Sequence, residues 1–506
     1  MRSLPARLIL RSTLALALGA CAAPGGTSEA SVTSVSIDGG GRTIVVGDVL
    51  TLTATVVTTG GASGAVTWES SDDSVAVIDG VGTVTGLAAG ATSLTATSTI
   101  DSSRSDAVTL IVDPLGALAW TRQFGTGNED RAYDVATDAD GNVYVTGYTY
   151  GALGGINAGR ADAFVRSYES GGDLLWTRQF GTDSLDQAFG VATDGNANVY
   201  VAGGTLGALE GANAGGFDAF VRSFDREGVL RWTRQFGTDR DDVANGVAAD
   251  VNGNVYVTGY TIGALEGPRA GGIDVFLRSF DRDGVLRWGR QFGTSDFDWA
   301  EGVATDSSGN VYVAGRTHGD LAGPSAGGMD AFVRSYAGDG TLRWTRQFGT
   351  SSTDRALSVA TAANGNVYVV GYTYGDLEGP NAGGRDAFVR SFDGDGTLRW
   401  TRQFGTSDND DATGVATDAY GNVYVSGVTW GALEGDNAGQ VDAFVRSYAG
   451  DGTVRWTRQF GTDRRDTATG VATDVSGGVY VSGRTQGALE GSGIGGLDAF
   501  IRKYGR

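Results

Sequence analysis

The sequence predicts an all-β protein: a β-sandwich over residues 31–113, then a seven-bladed β-propeller of four-stranded blades over 114–506. Three observations carry this. First, the segment Trp-Thr-Arg-Gln-Phe-Gly-Thr recurs with its Trp at 120, 176, 232, 288, 344, 400 and 456, every 56 residues, with Gly289 replacing Thr in one copy. Second, each 56-residue unit holds four β-periodic stretches, the content of a propeller blade. Third, the repeat region starts with the Trp-bearing strand and ends, at Asp498 to Tyr504, with the strand that normally precedes it. In a closed ring Leu118 to Gly125 completes the last blade and removes both free edges, an offset for which an open array has no use.

At the N-terminus, Arg2, Arg7 and Arg11 precede the apolar run Leu14 to Ala20. A charged stretch, a short apolar run and small residues are the parts of a secretory signal over residues 1–20, and the run is too short to span a bilayer. Leu18-Gly19-Ala20-Cys21 resembles the bacterial lipobox, which implies cleavage before Cys21 and acylation of its thiol, the chain's single Cys having no disulfide partner. Acylation by more than one chain gives stable attachment, at about 0.8 kcal/mol per buried CH₂. By resemblance to Gram-negative lipoproteins, Ala22 after the Cys points to the outer membrane or cell surface. Residues 21–30 then read as a lipidated flexible tether of Ala, Pro, Gly, Thr, Ser and Glu.

From Ser31 to Asp113, Val/Thr/Ile-rich runs alternate with Gly and Asp/Ser turns, at Val32–Ile37, Val49–Thr58, Val66–Glu69, Ser74–Ile78, Thr83–Thr85, Thr92–Thr99 and Ala107–Val112. This argues for a β-sandwich with Trp68 in its core. Val66-Thr67-Trp68-Glu69-Ser70-Ser71-Asp72, Val75 to Asp79 and Gly82 to Gly90 resemble the bacterial immunoglobulin-like group 2 domain. The resemblance implies a stalk module, and the place beside the anchor favours a spacer.

Within a repeat, the sixth copy reads as strands Leu398–Phe404, Ala412–Asp418, Asn422–Thr429 and Asp442–Tyr448, joined by turns such as Asp393-Gly394-Asp395-Gly396. The Asn-Val-Tyr-Val and Asp-Ala-Phe-Val-Arg segments resemble the SBBP (seven-bladed β-propeller) repeat. That resemblance implies a surface or secreted propeller without a common activity, and speaks for fold more than function.

Comparison of the seven copies separates scaffold from candidate site. Trp120, Phe124, Tyr144, Phe164 and their equivalents recur and read as packing between sheets. Asp130 and Asp162 also recur sevenfold, the latter followed four residues on by Arg166 and its equivalents. Fourteen carboxylates could make a cation site or an acid pair, but a sevenfold pattern favours structural roles: backbone N–H acceptance and pairing with the Arg. Variation falls before the recurrent Asp and where the second strand ends, where Tyr150, Leu206, Ile262, His318, Tyr374, Trp430 and Gln486 succeed one another. Phe297, Trp299 and Glu301 are further departures in one blade. Aromatics on a rigid scaffold suit sugar rings or protein hot spots, so Tyr150, Phe297, Trp299, Glu301, His318, Tyr374 and Trp430 are the candidate ligand-binding residues. The alternative for these rings is packing at strand ends, as Leu206 and Ile262 at the same register suggest.

Enzymatic signals are sparse. With His318 the single His and no Cys after Cys21, a zinc centre or a Cys-His nucleophile is nearly excluded, and no Gly-x-Ser-x-Gly elbow accompanies His318. Asp138-Ala139-Asp140-Gly141-Asn142 resembles the start of a calcium loop, yet most other blades lack the second Asp and no Glu follows at position twelve, so a hairpin turn is expected and no cofactor. The net charge of −21 disfavours nucleic acid and points to a monomer. The reading is a lipid-anchored surface protein, touching the membrane through its anchor only, whose propeller binds a glycan or an envelope protein. The rivals are a carboxylate-using glycoside hydrolase or lyase, which needs two unrepeated carboxylates of raised pKa near the central channel, and a purely structural envelope component.

Overall fold

The computed structural model describes residues 29–38 and 41–506; the signal segment, Cys21 and the tether up to residue 28 lie outside the described residues. Two compact units are divided between Asp113 and Pro114. All regular structure among the described residues is β-strand.

In the first unit Ser31–Ile37 pairs antiparallel with Ala54–Thr59. A four-stranded sheet runs in the order Arg42–Val45, Ser105–Asp113, Gly90–Ser98, Val66–Ser70, and a three-stranded one in the order Val49–Thr51, Thr83–Gly86, Ala76–Ile78. The run expected as a single strand over 49–58 is broken. Leu52 is buried and its N–H donates to the Gly82 carbonyl (2.8 Å), which carries the chain from one sheet to the other. Leu94, Ala96, Leu110, Val112 and Val84 form the core. Trp68 is corrected from a core residue to a half-buried one packed against that core, because its strand lies at the sheet edge.

The second unit consists of seven four-stranded antiparallel sheets. In the first blade the order is Asp130–Thr137, Val143–Thr149, Asp162–Tyr168, Leu174–Phe180, here called inner, second, third and outer strands. In the seventh, the outer strand is Leu118–Phe124, paired antiparallel with Asp498–Tyr504. The first residues of the second unit also stand in for the hairpin that this blade lacks. Arg458 donates to the carbonyls of Gly116 (3.0 Å) and Leu115 (2.7 Å), where Arg178 donates to the Gly228 carbonyl in a continuous hairpin (2.7 Å).

Each residue of the repeated motif has a visible task. Trp176 donates to the Arg226 carbonyl of the next blade's hairpin (2.8 Å), and Gly228 there, at φ +77°, leaves no room for a Cβ beside the indole. Gln179 donates to Asp162 and to the Gly151 carbonyl (both 2.9 Å), and accepts from the N–H groups of Leu153 and Gly154. Phe180 meets Phe220 edge-on at 5.9 Å. Thr182 donates through both N–H and hydroxyl to Asp186 (2.7 and 2.9 Å). The recurrent Asp residues thus accept backbone N–H groups at loops. The expected Asp–Arg pairing is not formed: the recurrent Arg lies over an aromatic face instead, from Arg166 over Phe124 (4.5 Å) to Arg502 over Phe460 (4.3 Å). Four residues along a strand put both side chains on one face but separate them by about 13 Å, which the sequence register alone foretells.

Inner strands pack side by side around an axis, that of the seventh blade against that of the first. A ladder of threonines crosses these seams: Thr193 donates to the Thr137 carbonyl (2.7 Å), Thr305 to Ala249, Thr361 to Thr305, Thr417 to Thr361, Thr473 to Thr417, and Thr137 to Thr473 (2.8 Å). At 249 the repeat carries Ala, so one rung lacks its donor.

Candidate functional site

The inner strands line a central cavity of 280 Å³. Six blades present Gly or Ser where the strand bulges toward the axis, as at Gly190, Gly246, Gly302, Ser358, Gly414 and Gly470, whereas the first blade presents Asp134. Asp134 accepts from the N–H groups of Val135 (2.9 Å) and Val191 (3.0 Å). Surrounding protein pushes its carboxyl up to about 7, desolvation outweighing the two hydrogen bonds. Across the cavity, in the fourth blade, Glu301 is ion-paired with Arg316 and accepts from Asn245 (3.4 Å). Burial raises its pKa while Arg316 and Arg355 draw it back.

Around the mouth of this cavity the seven copies differ most. The residue before the recurrent Asp, the end of the second strand and the residue preceding the third strand meet at each seam: Tyr150 N–H donates to the Glu129 carbonyl (3.0 Å), and Asp130 N–H to the Leu497 carbonyl (2.8 Å). The structure gathers the sequence candidates into three groups. In the fourth blade, Phe297, 47% exposed, stacks on Trp299 at 5.7 Å, and His318 touches both rings at 5.9 Å. Trp299 is half-buried beneath Arg316, 4.5 Å from its ring, and so acts as much in packing as in display. Between the fifth and sixth blades, Arg385 bridges Tyr374 (6.0 Å), Trp430 (5.5 Å) and Tyr372 (4.7 Å), and pairs with Asp411 at 2.8 Å. Burial pushes the Asp411 carboxyl up to about 6 against the pull of Arg385. Tyr374 is 47% exposed at a shallow 580 Å³ cavity shared with Arg355 and Arg385. Tyr150 stands in the first blade, edge-on to Tyr148 at 5.9 Å.

Residues missed in the sequence reading include Asp134, Tyr133, Tyr148, Arg131, Arg355, Arg385 and Arg484. All occupy registers where the copies differ, so comparing every column of the repeat, and not only the strand ends, finds them. Asp138, the start of the calcium-like loop, instead closes a hairpin. Its oxygens accept from the N–H groups of Asp140 and Asn142, the Asn142 amide and the Tyr144 hydroxyl, all at 2.8–3.0 Å. Among the described residues no three His, Cys, Asp or Glu side chains cluster as a metal-holding group.

Comparisons with known proteins agree with this architecture. Residues 31–108 match the model of the bacterial Ig-like domain (group 2). The beta-propeller repeat SBBP matches seven times, at 119–155, 175–209, 231–265, 287–322, 343–378, 399–434 and 455–489. The chain is a β-propeller protein, carrying a group 2 bacterial Ig-like domain ahead of seven SBBP repeats. It is 27% identical over 413 residues to the regulatory protein FlaEY of Caulobacter vibrioides, covering 72% of this chain and 42% of that one. It is 25% identical over 234 residues to the WD repeat-containing protein L264 of Acanthamoeba polyphaga mimivirus, covering 42% and 14%. The chain spans less than half the length of these two relatives. Among solved structures, the beta-propeller domain of the Trilobed protease from Pyrococcus furiosus is similar at TM-score 0.42 and 9% identity, over 74% of this chain and 94% of that one.

Proposed function

We propose that this chain is a lipid-anchored surface protein of a Gram-negative bacterium, whose propeller forms a closed ring and binds a glycan or an envelope protein at the variable mouth of its channel. Closure is supported by the pairing of Leu118–Phe124 with Asp498–Tyr504 and by the Thr137–Thr473 rung. Anchoring at Cys21 rests on the lipobox-like sequence. A Cys21→Ala variant should lose radiolabelled palmitate and leave the membrane fraction; retained label would remove the anchor from the reading.

Binding rests on one observation: the exposed rings of Tyr150, Phe297 and Tyr374 and several unshared charges gather at the mouth end of otherwise repeated blades, while at the opposite turns Tyr420 is exposed. A panel of glycans and envelope proteins, tested on the full chain with and without calcium, should yield a ligand lost on Phe297→Ala and Tyr374→Ala, with unchanged thermal melting. Binding indifferent to both substitutions would sink this reading and favour a structural role.

A catalytic second reading is favoured by the two unrepeated channel carboxylates, Asp134 and Glu301, both raised in pKa. It requires polysaccharide cleavage abolished by Asp134→Asn and by Glu301→Gln; cleavage unaffected by either eliminates it.

A further inference from the structure

The seam between the seventh and first blades carries a group of cations that the scaffold does not need. Arg131, Arg465, Thr467, Arg484, Gln486 and Leu497 surround a 180 Å³ cavity. Arg131 pairs with Glu129 at 2.9 Å and lies over Tyr148 at 5.7 Å. Arg484 is 5.9 Å from the Tyr133 ring. Neither Arg465 nor Arg484 has a carboxylate within 4.0 Å among the described residues, so three guanidinium groups share one counter-charge in a chain of net charge −21.

Other blades neutralise more of their cations, although Arg355, at the register of Arg131, lies over Tyr372 at 5.6 Å without a paired carboxylate among the described residues. Arg316, the equivalent of Arg484, is paired with Glu301, and Arg385 is paired with Asp411. The register of Arg131 is filled elsewhere by Gln187, Val243, Trp299, Arg355, Asp411 and Thr467, so no fixed fold contact requires a cation there. Two polar atoms in the cavity wall also lack partners: Arg131 Nε and Thr467 Oγ1 are buried without a hydrogen bond. Orphaned Nε atoms recur in other blades, as at Arg316 and Arg355, so what distinguishes this seam is the orphaned Thr467 hydroxyl beside two guanidinium groups without a carboxylate, a place for an acceptor.

We propose that this seam binds the carboxylate of an acidic sugar, a uronate unit. The inference deepens the reading of the variable face as a ligand-binding surface and rests on it. Guanidinium forks match the two oxygens of a carboxylate, and charge-assisted bonds of this kind are the stronger ones. The volume suits one sugar-sized group and is below that of a pocket for a drug-sized ligand. Gln486 and Thr467 offer donors and acceptors for ring hydroxyls, and the exposed Tyr150 ring, edge-on to the buried Tyr148, offers an apolar face for a pyranose. Glu129 works against the anion, which places the carboxylate toward Arg465 and Arg484 and away from the Glu129–Arg131 pair.

The test is calorimetric titration of the full chain at low ionic strength with glucuronate, glucose, inorganic sulfate and hexaglutamate. Glucuronate should bind saturably, glucose should not, and affinity should fall with added salt. Arg484→Met and, separately, the exposed-rim variant Arg465→Ala should each weaken glucuronate roughly tenfold or more while melting as wild type does. Absence of saturable glucuronate binding overturns the proposal, as does binding unchanged in both variants. Tighter binding of hexaglutamate would reassign the seam to an acidic protein, and of sulfate to a sulfated ligand; either overturns the uronate assignment. Failure here with a panel ligand still dependent on Phe297 or Tyr374 leaves the broader binding reading standing, whereas failure of both removes it.

Discussion

Replacing Asp134 by Asn should reverse the sign of its effect on stability between about pH 3.5 and mildly basic pH. In the folded chain this carboxyl is pushed up from its ordinary 3.8 to about 7 by the surrounding inner strands. In the unfolded chain it ionises near 3.9. Folding therefore takes up a proton between these values: the stability linked to the neutral acid is complete below about pH 4 and is lost as pH rises through about 7. At about 1.36 kcal/mol per pH unit the displacement sets an upper bound near 4 kcal/mol. Partial access from the channel screens the charge, leaving a working value of about 2 kcal/mol. Asn keeps an acceptor for one of the two N–H groups and forfeits the other, which costs about 1 kcal/mol. The variant should thus be about 1 kcal/mol less stable than wild type at pH 3.5 and about 1 kcal/mol more stable at pH 8.5. Urea denaturation of both proteins at pH 3.5, 5, 7 and 8.5, at constant ionic strength, measures the difference. Asp411 and Glu301 titrate in both proteins and cancel. A difference that does not change with pH would refute the argument that burial holds this acid neutral.

Three further outcomes follow from the packing. Trp456→Ala, at the one motif Trp that is nearly fully buried, should lose about 3–5 kcal/mol by thermal or urea denaturation, since Leu115 and Tyr504 pack against that ring. Gly228→Ala should lower the melting temperature, because φ +77° and a Cβ 2.8 Å from the Trp176 ring combine backbone strain with a clash; an unchanged melting temperature would show that the hairpin yields freely. Ala249→Thr should raise stability by about 0.5–1.5 kcal/mol by adding the donor missing from the threonine ladder, read as a shift in urea midpoint with unchanged slope.

The blade was legible because its cause is local and repeated. A motif returning every 56 residues with period-two stretches between Gly turns admits few architectures, and the strand phase points to the pairing of Leu118–Phe124 with Asp498–Tyr504. What sequence alone missed depends on which side chains face each other across seams. Asp162 and Arg166 are close in sequence and opposite in charge, yet Asp162 takes its partners from Gln179 and Ala158 while Arg166 lies over Phe124 from the neighbouring blade. Trp68 looked like a core residue from its type, but strand order within the sheet decides burial, and an edge strand leaves one side of the indole uncovered.

Asp134 shows why the candidate site was only partly readable. In a Gly-rich register its charge is conspicuous, but the meaning of that charge depends on seven strands separated by hundreds of residues coming to one axis. The same geometry explains why the mouth can vary. Away from it, Trp, Arg, Gln, Gly and Thr of the motif each touch a neighbouring strand or blade, so a change in one copy breaks a contact in the next. At the ends of the inner and second strands the side chains face the channel or solvent, and a blade can differ without disturbing its neighbour. A surface that the scaffold leaves free to vary, yet which holds ion pairs, stacked rings and orphaned donors, carries groups chosen for something other than folding.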